Sequence, residues 1–145
     1  MSTTTPTNKA QMDQVLADHF GAEAAQDLGG LLATLTDDAE HDVVGVPDGL
    51  HHGNQAIAGF YQQVFALLKQ EGVEPLHRYY GDDFVVDDVI YSGEADGALF
   101  GVEGRHGKVS FRMLHIIEFR AGRMSRENVW LDIETARRQL LEEPS

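Results

Sequence analysis

The stretch KVSFRMLHIIEFRAGRMSRENVWLD, residues 108–132, decides the fold. It predicts two long strands joined by a tight turn at Ala121-Gly122, a pattern typical of a β-hairpin. Because side chains alternate across a strand, the first strand has one largely apolar face with His115 at its centre. A buried polar group without a partner costs about 1–3 kcal/mol. We therefore expect His115 to be hydrogen-bonded or functional.

The chain has 145 residues, which is enough for one domain with a substantial core. We expect a flexible N-terminal tail at 1–8, a single domain at 9–141 and a C-terminal tail at 142–145. The sequence contains no cysteine, which excludes disulfides and thiolate metal sites. No apolar segment approaches the roughly 20 residues of a membrane span, and the first residues lack the apolar core of a signal peptide. A cytoplasmic location is the default expectation.

The chain is strongly acidic, with 24 acidic and 11 basic residues and a formal net charge of -13. This charge argues against binding to a nucleic-acid backbone, which requires a basic surface. It also disfavours an anionic membrane surface. We therefore expect neither nucleic acid nor membrane as a partner.

Helical patterns come first along the chain and strand patterns follow. Four segments have helical periodicity or composition: 8–20, 22–35, 54–70 and 133–141. Six segments have strand patterns: 40–46, 74–80, 84–91, 95–102, 107–120 and 123–132. Helices followed by an antiparallel sheet are typical of the α+β class, in which the helices cover one face of the sheet.

Four polar side chains fall on otherwise apolar faces: His19, Asp42, Tyr61 and His115. Burial raises the pKa of an aspartate and lowers that of a histidine, whereas pairing the two opposes both shifts. Such a group suits proton abstraction next to a carbonyl, with N–H and O–H donors holding the enolate.

A metal site is a weaker hypothesis. His41 and Asp42 are adjacent in a predicted strand and point to opposite faces, so they do not chelate together. His51 and His52 form a loop pair, and metal-ligand spacing of the His-Glu-x-x-His kind is missing. We expect neither a metal nor a cofactor.

Three stretches, LTDDAEHDVVG at 35–45, PDGLHHGNQAIAGFY at 47–61 and HIIEFRAGRMSRENVWLD at 115–132, resemble the nuclear transport factor 2-like superfamily. That superfamily includes ketosteroid isomerase, limonene epoxide hydrolase and the SnoaL-like polyketide cyclases. The resemblance implies a cone-shaped, bent antiparallel β-sheet wrapped around three α-helices, a cystatin-like α+β barrel with a conical pocket. It also implies a homodimer formed through the outer face of the sheet.

The resemblance to ketosteroid isomerase assigns a role to each polar candidate. Asp42 falls at the general-base aspartate, and Tyr61 at a tyrosine of the supporting network. His19 and His115 replace the tyrosine and the protonated aspartate of the oxyanion hole. The relatives that are cyclases or epoxide hydrolases carry a catalytic aspartate where this chain has Val129.

We therefore expect a cofactor-independent acid/base enzyme, an isomerase, cyclase or aldol-type catalyst that forms an enolate of a small apolar carbonyl compound. Asp42 would be the base, His115 and His19 donors or proton carriers, and Tyr61 the residue that orients them. The predicted pocket-lining residues are Trp130, Asn128, Glu127, Val129, Phe60, Met113 and Phe100.

Two other functions stay open. One is a non-catalytic ligand-binding or dimeric scaffold module, which an Asp42 side chain pointing to solvent would favour. The other is a dehydratase or epoxide-type hydrolase, in which Asp42 and either Asn128 or Glu127 would hold a water molecule.

The register of the hairpin is also open. A two-residue turn places Asn128 opposite His115, whereas alignment to the relatives turns Glu127, Val129 and Leu131 inward. A slip or bulge of one residue separates the two arrangements.

Overall fold

The computed structural model describes residues 7–142. Its helices are α1 (Lys9–Ala24), α2 (Leu28–Leu32), α3 (Asn54–Leu67) and α4 (Ile133–Glu142), with a 3₁₀ turn at Gly97–Phe100. Its strands are β1 (Leu35–Val43), β2 (Leu50–His52), β3 (Leu68–Tyr80), β4 (Phe84–Asp96), β5 (His106–Arg120) and β6 (Arg123–Leu131). The predicted tails lie mostly outside the described residues, and Asn8, placed in the first tail, caps the start of α1.

The six strands form one curved sheet in the order β2-β1-β6-β5-β4-β3. The predicted α+β class is confirmed, with helices packed against one face of the sheet. Neighbouring strands are antiparallel except β1 and β6, which run parallel. The main core lies between α1, α2 and α3 and one face of this sheet, and includes Met12, Leu16, Leu31, Ile57 and Ile117.

The β5–β6 hairpin contains the predicted turn and one extra residue. Ala121 and Gly122 both have positive φ, 53° and 77°. A two-residue hairpin turn needs positive φ at both positions if its twist is to match that of the two strands. Glu118 pairs with Arg126 and Phe119 with Met124, so Ser125 between them has no opposite residue in the strand register. This bulge shifts the register by one residue.

The second helix is shorter than predicted. The segment 22–35 divides into the end of α1, a loop and the five-residue α2, because Gln26 adopts a positive φ of 55°. Asp27 caps α2 by accepting a hydrogen bond from the Gly30 backbone N–H at 3.0 Å. A Cβ on Gly30 would lie 2.5 Å from Asp27 Oδ2, so the glycine makes this close approach possible.

Other boundaries also differ from the predictions. β1 begins five residues earlier than predicted, at Leu35, and α3 ends at Leu67, where the backbone passes directly into β3. The predicted strand 95–102 is instead the end of β4 and the 3₁₀ turn. Within residues 7–142, every helix is too short or too polar to cross a membrane.

Candidate functional site

A cavity of about 410 Å³ lies between α3, the end of α1 and the concave face of the sheet. Its wall is largely apolar and includes Phe60, Val64, Leu68, Tyr91, Phe100, Phe111, Met113, Val129 and Leu131. Its ionisable residues are Glu23, His41, Asp48, His51, Tyr61, Tyr91, His115 and Glu127. A pocket of this size and composition suits a small organic ligand.

Glu127 of β6 is the centre of the polar cluster. Its side chain is buried, and three imidazole Nε2 atoms surround its carboxylate: those of His19 at 3.6 Å, His41 at 3.7 Å and His115 at 3.7 Å. Burial alone raises the pKa of Glu127, but the three imidazoles outweigh it and hold this pKa at about 2. Glu127 is therefore a carboxylate at neutral pH.

His19 of α1 reaches the same carboxylate from behind the cavity. Its Nδ1 lies 2.8 Å from the Thr34 hydroxyl, and its Nε2 lies 3.5 Å from the Tyr61 hydroxyl. Burial lowers the pKa of His19, but the interaction with Glu127 exceeds this effect and raises the pKa overall.

His41 and His115 behave differently because burial dominates. It lowers the pKa of His41 to about 4, and it lowers that of His115, although Glu127 opposes both shifts. Both imidazoles are thus neutral at physiological pH. Their Nδ1 atoms are buried without a hydrogen-bond partner in the described structure.

Glu23 is an acidic group whose pKa lies near neutral pH. It lies one helical turn after His19, with 4.0 Å between its Oε2 and His19 Nε2, and 24% of its side chain is exposed. Burial raises its pKa to about 7, opposed by His19 and assisted by Glu127. Groups with such pKa values are common at catalytic sites.

Glu23 was not among the predicted site residues, because the first helix was predicted to end at residue 20, before Gly21. The helix continues through Gly21 to Ala24, so His19 and Glu23 share one face as an i, i+4 pair. This spacing is visible in the sequence once the glycine is allowed inside the helix.

The prediction that Asp42 faces the pocket is wrong. His41 and Asp42 point to opposite faces of β1, and it is His41 that lines the cavity. The side chain of Asp42 is 29% exposed on the outer face, and its Oδ2 lies 3.6 Å from Arg126 Nη2. Asp42 therefore does not meet His115, and His41, which the sequence analysis set aside, does join the cluster.

The predictions that Asn128 and Trp130 line the pocket are also wrong. The Ser125 bulge places Val129 opposite His115, so Glu127, Val129 and Leu131 face inward. Asn128 and Trp130 occupy the alternate positions on the outer face. Asn128 accepts a hydrogen bond from Arg126 Nε, and Trp130 is 39% exposed.

The remaining predicted residues lie at the cavity. Tyr61 and His115 are on its wall, and His19 contacts the cluster behind it. The predicted pocket-lining residues on the wall are Glu127, Val129, Phe60, Met113 and Phe100. Among residues 7–142, His, Asp and Glu side chains form no group of three placed to hold a metal ion.

A second cavity of about 360 Å³ adjoins the first. Glu23, Tyr91, Met113 and His115 line both cavities and form the partition between them. Glu23 and His115 can thus be reached from either side.

Many solved structures share this fold, which confirms the predicted nuclear transport factor 2-like architecture, and three of them are as follows. A proposed SnoaL-like polyketide cyclase from Shewanella putrefaciens CN-32 is 18% identical, with a TM-score of 0.79 over 92% of this chain and 98% of that one. An epoxide hydrolase of the LEH-like type from M. tuberculosis is 17% identical, with a TM-score of 0.71 over 91% and 90% of the two chains. A protein with a ketosteroid isomerase-like fold from Catenulispora acidiphila DSM 44928, in complex with trimethylamine, is 14% identical. Its TM-score is 0.71 over 88% of this chain and 92% of that one.

At these identities the similarity shows a common fold and does not assign an activity. No curated protein matches the chain. The family model for the SnoaL-like domain matches residues 16–127, a segment that contains the helices α2 and α3 and the strands β1 to β5. The same segment contains five residues of the polar cluster: His19, Glu23, His41, His115 and Glu127. The chain therefore belongs to the SnoaL-like domain family.

Proposed function

We propose that this protein is an acid/base enzyme that forms an enolate from a small, uncharged, largely apolar carbonyl compound. One observation carries the proposal: Glu23, whose pKa is about 7, lies on the wall of a largely apolar cavity that Tyr61 also lines. About half of the Glu23 carboxyl groups are ionised at neutral pH, so the group both accepts and returns a proton. The enolate chemistry expected from the sequence is kept, with Glu23 in place of Asp42 as the base.

In the proposed reaction, the Glu23 carboxylate takes a proton from the carbon next to the carbonyl. The electron pair of the broken C–H bond moves to the carbonyl oxygen, which accepts a hydrogen bond from the Tyr61 hydroxyl. In an isomerisation, protonated Glu23 then returns the proton to another carbon of the conjugated enolate. In a cyclisation, the enolate carbon instead attacks a second carbonyl carbon, and the alkoxide formed there takes the proton from Glu23.

Tyr61 is suited to the role of neutral donor. Its side chain is buried, and burial together with the nearby carboxylates of Glu127 and Glu23 raises its pKa well above 10. The hydroxyl therefore keeps its proton throughout the physiological pH range. Glu127 and the imidazoles around it hold the fixed charges of the site in place before substrate binds.

The cavity wall also sets the charge of the ligand. Among the described residues that line it, none is lysine or arginine, whereas Glu23, Asp48 and Glu127 are acidic. A phosphate or carboxylate on the substrate would meet no cation there and would lose its hydration. The substrate class that fits is uncharged.

The second cavity supports the role of Glu23. A substrate that fills the first cavity covers one side of the carboxyl group, but Glu23 also lines the second cavity. Water there can exchange the proton of Glu23 between turnovers.

A binding module is the second candidate. Asp42 points outward. The negative charge of Glu127 is compensated by three imidazoles, and its pKa is too low for an effective base. These two observations favour a cavity that binds without reacting. The hydrolase alternative loses its predicted water site, since Asp42 and Asn128 both lie on the outer face.

The test is exchange of α-protons for deuterium in D₂O, followed by NMR over a panel of cyclic ketones and enones. Exchange detects the enolate without knowledge of the final product. We expect Glu23→Gln to lower the exchange rate by about 10²–10⁴-fold and Tyr61→Phe by about 10²-fold. Asp42→Asn is the matched control and should leave the rate unchanged. Tight binding of a ketone without exchange would support the binding module instead.

We further propose that a second copy of this chain covers the outer face of the sheet. Trp130 is exposed there and pairs with Leu114 across the hairpin. The ion pair between Arg112 and Asp88 borders these residues, so the patch carries one positive and one negative charge. Across a two-fold axis, the positive charge of one copy can face the negative charge of the other. Light scattering should give twice the chain mass of 16.0 kDa. Trp130→Arg should give the monomer mass, and an unchanged mass would refute this interface.

A further inference from the structure

The hydrogen bonds around Thr34 determine where the protons of His19 lie. The Thr34 hydroxyl is 2.6 Å from the Leu31 carbonyl oxygen, an acceptor, so the single hydroxyl proton is donated there. The same oxygen lies 2.8 Å from His19 Nδ1 and has only lone pairs left for this contact. Nδ1 of His19 must therefore be the donor.

The other nitrogen of His19 faces a different environment. Its Nε2 is 3.5 Å from the Tyr61 hydroxyl, 3.6 Å from Glu127 Oε1 and 4.0 Å from Glu23 Oε2. A proton on Nε2 points toward two carboxyl groups, whereas a bare lone pair there accepts only from Tyr61. His19 can thus hold two protons with a partner at each nitrogen.

His41 and His115 have no such arrangement. Each places Nε2 near Glu127, but each leaves Nδ1 buried without a partner in the described structure. A second proton on either ring would be desolvated and unbonded. Thr34 is thus the feature that distinguishes His19 from the other two imidazoles.

We infer that Thr34 is a positioning residue that fixes His19 with a proton on Nδ1 and makes it the imidazolium partner of Glu127. The polar cluster then contains one buried cation and one buried anion, with His41 and His115 neutral. This inference goes beyond the proposed function, because it holds whether or not the cavity catalyses a reaction.

The groups that face His19 come from every element around it. Glu23 approaches from α1, Tyr61 from α3 and Glu127 from β6, while His41 of β1 and His115 of β5 contact the same carboxylate. Of these groups, only the carboxylates favour a charged His19. Their effect requires Nε2 to point at them, which the bond to Thr34 enforces.

The test is long-range ¹H–¹⁵N NMR of the imidazole nitrogens in the full-length protein across pH. In the wild type we expect His19 to carry protons on both nitrogens at neutral pH and to keep the Nδ1 proton when it loses one at higher pH. Thr34→Val keeps the shape but removes the hydroxyl, so it should lower the proton affinity of His19 by about tenfold, or about one pKa unit. Thr34→Ser should restore the wild-type signals.

Two results would overturn the inference. One is a wild-type His19 that is neutral with its proton on Nε2, a measurement that requires no variant to fold. The other is a folded Thr34→Val protein with unchanged His19 signals. Since neither readout uses a substrate, failure of the enolate assay leaves this test intact.

Discussion

His115 Nε2 lies 3.7 Å from Glu127 Oε2, although the residue paired with His115 across the hairpin is Val129. The contact is diagonal: Glu127 pairs with Ile117, two residues along the same inward face. It exists because the Ser125 bulge turns Glu127, Val129 and Leu131 inward. One extra residue thus decides whether the cavity contains a carboxylate or an amide.

Glu127→Gln should destabilise the protein by about 3 kcal/mol at pH 7, because it leaves the buried His19 without its counter-charge. The free energy of unfolding in urea measures this change. Glu118→Gln, at an exposed position of β5, is the matched control and should change stability by less than about 0.5 kcal/mol. Equal effects of the two substitutions would contradict the central role of Glu127.

Glu23→Gln should stabilise the protein by an amount that depends on pH. The pKa of Glu23 is about 7 in the folded protein and 4.5 as a free side chain. The folded state therefore binds more protons than the unfolded state between pH 4.5 and pH 7. The contribution of Glu23 to stability therefore falls as pH rises from 4.5 to 7. Urea unfolding should show no difference between variant and wild type near pH 4 and a gain on the order of 2 kcal/mol for the variant at pH 8. A constant difference at all pH values would be inconsistent with the raised pKa.

His41 should titrate with a pKa of about 4, measured from its ring proton shifts by NMR. The pKa of His41 in the folded protein is below its free value of 6.5, so the unfolded state binds more protons than the folded state between pH 4 and pH 6.5. The stability contributed by His41 is therefore present above pH 6.5 and is lost as pH falls through 4. His41→Gln should flatten this part of the stability profile, and a His41 that titrates above pH 6.5 would show that it is not buried as described.

Ala121→Asn should stabilise the hairpin by about 0.5–1 kcal/mol, measured as a rise in the free energy of unfolding. Ala121 has a φ of 53°, a conformation that asparagine tolerates better than alanine. Gly122→Ala is the opposite change, since Gly122 has a φ of 77°, and it should destabilise by about 1 kcal/mol. A destabilising Ala121→Asn would mean that the turn conformation differs.

The hairpin, α3 and the α+β class follow from patterns that are local in sequence. The alternation at 108–120, the turn Ala121-Gly122 and the apolar face of α3 each depend on neighbouring residues. These patterns were sufficient to place Tyr61, His115 and Phe60 at a common pocket.

The choice of face in β1 and β6 depended on the tertiary structure. Strict alternation along β6 would put Val129 and Leu131 on one face and Met124 and Trp130 on the other, so hydrophobicity alone does not choose between the faces. In β1, His41 and Asp42 are equally plausible inward residues by pattern alone. Parallel pairing with β6 aligns His41 with Glu127 and Asp42 with Asn128, so one bulge sets the inward residues of both strands.

The sequence by itself determined the class of fold, the position of the hairpin and the presence of polar groups in an apolar core. Only the tertiary structure decided that Glu127 replaces Asp42 as the buried carboxylate, and that Glu23 has a pKa near neutrality. The physical reason is that side-chain periodicity is a local property, whereas strand register and desolvation arise from contacts between segments about 100 residues apart in the chain.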